Sequence, residues 1–331
     1  MGVQGESVNG TVRFVDLFCG VGGFRIAVDK ACRDGALRPD CVFSCDIDAE
    51  CRRSYAANFD EDPTGDIRQV PASSVPDHDL LLAGFPCQPF SIIGARRGFE
   101  DTRGTLFFEI ARILKAKRPA ALVLENVKLL VRHNQGATLR RILETLHQLG
   151  YRSDFRVLNA LDFGLPQKRE RAFIVGFRKP SRFRWPRGGV PMTPLKEILE
   201  EKVAAKFDAS EKIRNSRRRR LRPTSEPTIW HENKSGHVSA HPFSCALRAG
   251  ASHNYLLVNG KRRLTPREMF RLQGFPDSFR IAGSYSQNKK QAGNSLPVPV
   301  AQAVLEEVVR CLRAARAGGG DDDATPAQMG A

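Results

Sequence analysis

Three short stretches of this 331-residue chain carry side chains that could do chemistry. The first is Gly84-Phe85-Pro86-Cys87-Gln88-Pro89-Phe90-Ser91, which holds one cysteine between two prolines just after the apolar run Leu80-Leu81-Leu82-Ala83. The carboxyl end of a buried strand is where open α/β sheets keep their reactive groups. A thiol fixed there is a candidate nucleophile, and the competing reading is a small buried core residue. The second stretch is Glu125-Asn126-Val127. A buried carboxyl at a strand end has a raised pKa and can serve as an acid near neutral pH, whereas an exposed edge glutamate has no such role. The third is Gln167-Lys168-Arg169-Glu170-Arg171, whose two arginines fall on one face of an extended segment. They could hold a base carbonyl, the thiolate loop or a phosphate by forked hydrogen bonds, or simply decorate a strand edge.

A fourth stretch reads as a ligand cradle. Phe14-Val15-Asp16-Leu17-Phe18-Cys19-Gly20-Val21-Gly22-Gly23-Phe24 is a strand, a glycine-rich turn and a helix start, a device that brings backbone close to a nucleotide-like ligand. Arg25 stands where the dinucleotide fingerprint requires its third glycine, so a pyrophosphate is not specified. S-adenosylmethionine, which has no phosphate, fits better. Asp46 follows at the distance expected for a carboxylate on ribose hydroxyls. Asp66, in Gly65-Asp66-Ile67, is a further acceptor, suited to an exocyclic adenine amine. Each acid alone could equally be a helix cap or a turn residue.

These groups need a frame, and the apolar pattern supplies one. Strands are predicted over 13–18, 41–46, 79–83, 121–125, 155–158 and 172–177, with helices over 24–36, 49–58, 105–117 and 137–149 between them. Alternation of this kind predicts a parallel sheet covered by helices. Past residue 177 the texture becomes irregular and includes a basic run over 212–222, and regularity returns at Gln287 with a helix over 297–315. The expected organisation is a catalytic, cofactor-binding domain of 11–177 and 287–317, a smaller irregular domain and hinge over 178–286, and a flexible acidic tail over 318–331.

A formal charge of +16 is too lopsided for a typical small-metabolite enzyme and points to a polyanion, nucleic acid first. No apolar run approaches the ~20 residues of a spanning helix. The start of the chain is polar, with Glu6 where a myristoylation signal needs Ser or Thr, so a cytoplasmic protein is expected. The eight cysteines form no Cys-x-x-Cys pair, and no metal site is expected. Cys41 and Cys45, an even number of residues apart, are expected on one strand face. The basic run is either a solvated surface or, in a basic protein, a phosphate contact.

Taken in order, the motifs resemble those of the cytosine-5 DNA methyltransferases, from about residue 13 to 300, and the likeness weakens between 178 and 262. Arg263-Leu264-Thr265-Pro266-Arg267-Glu268, Leu272-Gln273-Gly274-Phe275-Pro276 and Gln291-Ala292-Gly293-Asn294-Ser295 complete it. The resemblance implies a Rossmann-like, S-adenosylmethionine-dependent α/β methyltransferase sheet with a target-recognition region in its middle. Carbon 5 of cytosine is too electron-poor to take a methyl group unaided. The resemblance therefore implies Cys87 adding at carbon 6, with Glu125 as the acid at ring nitrogen 3 and Arg169 and Arg171 as supports. Around the cofactor it implies Phe18, Gly20, Gly22, Gly23, Asp46, Ile47, Asp66, Ile67, Pro86, Asn294 and Ser295, with Phe18 stacking on adenine. Toward DNA it implies Ser91, Arg96, Arg97, His237 and Arg248. Asp46 stands where the family commonly has Glu, and Ala246 where it usually has Thr. The expected substrate is duplex DNA with a flipped cytosine, acted on by a monomer, and any restriction endonuclease sharing the site is expected to act separately, without binding. The alternatives are a tRNA methyltransferase of the same family, against which Phe85 precedes Pro86 instead of a second proline, and a catalytically dead DNA-binding protein.

Overall fold

The computed structural model describes residues 10–33, 37–86, 106–222 and 225–317. In chain order the first half contains β1 (Thr11–Leu17), α1 (Gly23–Ala31), β2 (Arg38–Cys45), α2 (Ala49–Phe59), β3 (Leu80–Gly84), α3 (Leu106–Lys117), β4 (Ala121–Val127), α4 (Ala137–Gln148), β5 (Arg152–Asn159), β6 (Gln167–Lys168) and β7 (Glu170–Phe177). The second half contains α5 (Leu195–Ile198), α6 (Glu211–Arg218), β8 (Ile229–Glu232), β9 (Val238–His241), β10 (Ser244–Cys245), β11 (Leu256–Val258), α7 (Pro266–Arg271), α8 (Tyr285–Asn294) and α9 (Val298–Ala317). Every strand and helix expected in the first half is present, with ends moved by a few residues; α1 stops at Ala31 rather than 36.

Among the described residues, six strands form one sheet in the order β2-β1-β3-β4-β7-β5. The leucine run of β3 is continuous because both sheet faces are covered. Leu80 and Leu82 face a cluster with Val12, Phe14, Ile26, Val28, Val304 and Val308, from β1, α1 and α9. Leu81 and Ala83 face the opposite cluster, with Phe107, Ile110, Leu139 and Ile142 from α3 and α4. Each such leucine, fully removed from water, contributes about 2 kcal/mol of hydrophobic stabilisation. The three-layer α/β architecture therefore follows from period-2 burial on both sides.

Two expectations about the sheet need correction. It is not parallel throughout: β1 to β4 pair parallel, but β7 lies between β4 and β5 and runs antiparallel to both. The link from β5 to β7 contains only a short 3₁₀ turn and β6, with no crossover helix to return the chain for parallel pairing. Cys41 and Cys45 do not share a face either. The register opposite β1 steps from Phe14↔Cys41 to Val15↔Phe43, so Val42 is an extra residue. This bulge sends Cys41 to the α1/α9 side and Cys45 to the α3/α4 side.

The stretch 178–286 contains a three-stranded antiparallel sheet, β11-β8-β9, and β10 pairs with β6. Ile229, Leu247, Leu256 and Val258 belong to the same apolar cluster as α1 and α9, so one core continues across residue 178. The acidic tail, 318–331, lies outside the described residues.

Candidate active site

The carboxyl ends of β1, β3 and β4 open on one cleft of about 500 Å³. β3 and β4 lie side by side, with Gly84 opposite Glu125. Asn126 ties the two strand ends together, its Nδ2 donating to the Phe85 carbonyl at 2.8 Å while its Oδ1 accepts from the Val127 N–H at 2.9 Å. Phe85 and Pro86 line the cleft immediately before Cys87 in the sequence. Cys87, Ser91, Arg96 and Arg97 lie outside the described residues.

Glu125 and Arg171 meet at this end of the cleft, with Arg171 Nε 2.9 Å from Glu125 Oε1. Burial pushes the Glu125 carboxyl above its ordinary range, and the Arg171 charge only partly offsets this. The result is a carboxyl inclined to keep its proton and held in place by a fixed cation.

Arg169 does something else. Its guanidinium is buried among main-chain carbonyls, with Nη1 donating to Leu247 O at 2.9 Å and Nη2 to Gly293 O at 2.9 Å and Ser295 O at 2.5 Å. Of the two arginines expected to hold the base carbonyl, the thiolate loop or a phosphate, Arg171 lines the cleft, whereas Arg169 does not and fastens main-chain carbonyls. Gln167 works beside it, accepting from the Leu247 N–H at 3.1 Å and donating to Leu272 O at 2.7 Å.

The other end of the cleft is built by the glycine-rich turn. Phe18 has φ 58°, a left-handed conformation that bulky residues avoid and that here ends β1 sharply. Gly20 N–H donates to Asp46 Oδ2 at 2.8 Å, and Asp48 N–H to Asp46 Oδ1 at 2.8 Å, so Asp46 both lines the cleft and holds the turn. Burial raises its pKa despite these two donors. Ile47 lines the wall with 66% of its surface exposed, an apolar residue left open to a ligand. Gly20 and Gly23 line the cleft, but Gly22 does not. At φ 89° it caps α1, and a Cβ there would lie 2.1 Å from the Phe59 ring.

Asp66 and Ile67 also stand off the cleft wall. Arg68 takes both oxygens of the Asp66 carboxylate, at 3.0 Å and 2.9 Å from Nε, and the same carboxylate caps a short 3₁₀ turn. The helix-cap reading of Asp66 therefore holds in this conformation, and Ile67 is a core residue.

Helix α8 brings Lys290, Gln291, Gly293, Asn294 and Ser295 to the cleft, as the resemblance implied for the last two. Lys290 pairs with Asp48 at 2.7 Å, and Gln291 donates to Glu50 O at 3.2 Å and Ser54 Oγ at 3.0 Å, which pins α8 to α2. Lys290 lies outside the motifs read from the sequence, whereas Gln291 opens the Gln291–Ser295 motif and Asn126 sits inside the Glu125 triplet. Among the described residues, the cations lining the cleft are Lys290 and Arg171, and both are ion-paired, a poor provision for a pyrophosphate. A carboxylate, a strained aromatic and an apolar wall instead suit a phosphate-free nucleoside, and S-adenosylmethionine fits this donor set.

His237 is exposed in the β8–β9 turn, its N–H donating to Asn233 Oδ1 at 2.9 Å. Arg248 is exposed, with its guanidinium 4.9 Å from the Tyr255 ring centroid. The basic run departs from expectation. Arg217 is buried, bonded to Glu232 at 2.7 Å and to Asn254 O at 3.1 Å, and Arg220 also reaches Glu232 and Gly236 O. Arg218, Arg219 and Arg222 remain exposed. The Thr265 motif is a helix start, with Thr265 and Glu268 forming a capping box on α7. Among the described residues there is no cluster of potential metal ligands, and no helix is long and apolar enough to cross a membrane.

Comparison with known proteins agrees with this geometry. The family model for C-5 cytosine-specific DNA methylase matches residues 12–310. The Type II methyltransferase M.NgoBI of Neisseria gonorrhoeae is 55% identical over 295 residues, covering 87% of this chain and 90% of that protein. The Type II methyltransferase M.HaeII of Haemophilus aegyptius is 49% identical over 305 residues, covering 91% and 94%. Among solved structures, S. pombe Dnmt2 methyltransferase superposes with a TM-score of 0.69 at 19% identity, over 91% of this chain and 99% of that one, a likeness of fold alone. The substrate is DNA rather than tRNA on the strength of the family model and the close relatives, and the methyl donor is S-adenosylmethionine. The chain belongs to the C-5 cytosine-specific DNA methylases and is a DNA (cytosine-5-)-methyltransferase.

Proposed function

We propose that this enzyme methylates a cytosine flipped out of a specific duplex sequence, with Cys87 as nucleophile and Glu125 as acid. The observation that carries this division of roles is the single cleft with Phe18, Asp46 and Ile47 at one end and Glu125 and Arg171 at the other. The Cys87 thiolate adds to carbon 6, Glu125 delivers its proton toward ring nitrogen 3, and the electron-rich carbon 5 that results accepts the methyl group. Loss of the carbon 5 proton to water, expulsion of the thiolate and return of the ring nitrogen 3 proton to Glu125 then restore the ring and the acid. Arg171 orients Glu125 and tempers its pKa. Phe18, Ile47, Gly20, Gly23, Pro86, Asn294 and Ser295 frame the adenosine, and Asp46, with lone pairs left beside its two backbone donors, takes the ribose hydroxyls. S-adenosylmethionine, when bound, supplies the electrophilic methyl group.

The 178–286 stretch is proposed as the target-recognition region, His237 and Arg248 facing DNA. The names of the relatives support a place in a Type II restriction-modification system; beyond that, we propose that the methyltransferase works as a monomer and that any endonuclease for the same site acts separately. A duplex carrying 5-fluorocytosine tests the chemistry, since the fluorine cannot leave as a proton does. Wild type should form a covalent adduct, and Cys87→Ser should form none while binding S-adenosylhomocysteine within about twofold of wild type. Absence of the adduct, or methylation by the Ser variant at a rate near wild type, removes Cys87 from the role.

A further inference from the structure

Residues 246–251 form a loop whose main chain is held largely by side chains from elsewhere. Gln167 and Arg169 take the N–H and carbonyl of Leu247. The Tyr255 hydroxyl accepts from the Arg248 N–H at 2.8 Å and donates to Ala246 O at 3.5 Å. The remaining anchor is Lys289 of α8, whose Nζ donates to the carbonyls of Ala249, at 3.2 Å, and Ala251.

Lys289 is 8% exposed. Burying an ammonium is costly unless it is well bonded, and here the bonds go to carbonyls of an irregular loop instead of a carboxylate. The helix beneath is rigidly seated, since Lys290 and Gln291 bind α2. Helix and loop approach closely: a Cβ on Gly293 would fall 2.5 Å from Ala249 N. The one long cation of the loop, Arg248, is left facing outward over Tyr255.

We propose that Lys289 is a positioning residue for target recognition: by fixing the carbonyls of Ala249 and Ala251 it sets where the Arg248 guanidinium is presented to DNA. The inference rests on the reading of this loop as DNA-facing. A lysine bonded to carbonyls alone tightens the loop, so its removal should act on the DNA step and not on the cofactor or the chemistry.

The test is a double-mutant cycle of Lys289→Met and Arg248→Ala in the full chain, read by steady-state methylation of the cognate duplex. Lys289→Met should raise KM for DNA about tenfold, within the range of a base-edge contact, with kcat and S-adenosylhomocysteine affinity within about twofold. Arg248→Ala should raise KM similarly, and the double variant should match Arg248→Ala alone, because one residue acts through the other. Lys289→Gln, which keeps a donor, should recover part of the loss and guards against a simple folding defect in the Met variant. Multiplying effects in the double variant, or a Lys289→Met KM at the wild-type value, overturn the role of Lys289. If Arg248→Ala alone leaves KM unchanged, the reading of the loop as DNA-facing fails and the proposal falls with it.

Discussion

Arg171 Nε lies 2.9 Å from Glu125 Oε1 across the antiparallel pair β4–β7, joining the strand that ends in the acid to the strand that returns from the edge of the sheet. Were β7 parallel to β4, Arg171 would lie at the opposite end of the sheet. The antiparallel insertion that the apolar pattern did not announce is therefore what brings the cation to the acid.

The pH dependence of the chemical step follows from that pair. In its proposed role as the acid, Glu125 must be protonated to act; its pKa is raised by burial, and Arg171 pulls it part of the way back. The single-turnover rate should fall as pH rises through the Glu125 pKa. Arg171→Met removes the charge that lowers this pKa, so the falling limb should move to higher pH even though the maximal rate drops. Glu125→Gln should lose about 10²–10⁴-fold in rate, the usual worth of a positioned acid, and should lose the limb itself. A limb that stays in place in Arg171→Met would assign it to another group.

The two candidate cofactor acids should separate. Asp46 lines the cleft and also holds Gly20, whereas Asp66 is engaged by Arg68 away from the cleft wall. Asp46→Ala should weaken S-adenosylhomocysteine binding by roughly tenfold or more, about 1–3 kcal/mol for lost bonds from a buried acceptor. Asp66→Ala should have the smaller effect. Calorimetric titration of both variants decides the order, and a larger loss at Asp66 would mean that Arg68 releases it when the cofactor binds.

How much of this is legible in the sequence depends on the range of the interactions. The strands of the first half are readable because burial on two faces leaves unbroken apolar runs such as Leu80-Leu81-Leu82-Ala83. Glu125 and the Phe18 turn are readable because strand ends followed by Gly or Asn are local signals. The bulge at Val42 is not, since nothing in the residue itself requires an extra place in the ladder. Arg169, Arg217 and Lys289 look like surface charges by type, yet all three are buried. Their partners are chiefly carbonyls or acids far along the chain, as in the bond from Arg169 to Gly293, 124 residues away.

The basic run should accordingly split in two. Arg218 and Arg219 are exposed at the end of α6, so the double change to Gln should weaken binding to all duplexes. The salt slope should flatten by up to about 0.9 for each phosphate that the variant no longer neutralises. Arg217→Gln should instead lower the melting temperature, because it removes a buried guanidinium bonded to the half-buried Glu232 and to Asn254 O, at a cost of about 1–3 kcal/mol. An unchanged salt slope for the Arg218 and Arg219 variant would leave this helix with no part in DNA binding.

Transfer of target specificity depends on where the graft is cut. Exchanging all of 178–286 with the matching segment of a relative would replace Leu195, Ile198, Met269, Phe270, Leu272 and Phe275, which pack in one apolar cluster with α1 and α9. Exchange of 229–258 alone, with Ile229, Leu247, Tyr255, Leu256 and Val258 retained, keeps this core together with the bonds of Gln167 and Arg169 to the loop and the hydroxyl beneath Arg248. Base-edge contacts carry sequence information, whereas phosphate contacts set affinity. The smaller graft should therefore fold and methylate the relative's sequence, and the larger one should melt earlier or fail to accumulate. Bisulfite sequencing of DNA from cells expressing each chimera gives the answer. A folded, active small graft that still marks the original sequence would place specificity outside β8–β11, with the 87–105 segment or the cleft rim as the next regions to exchange.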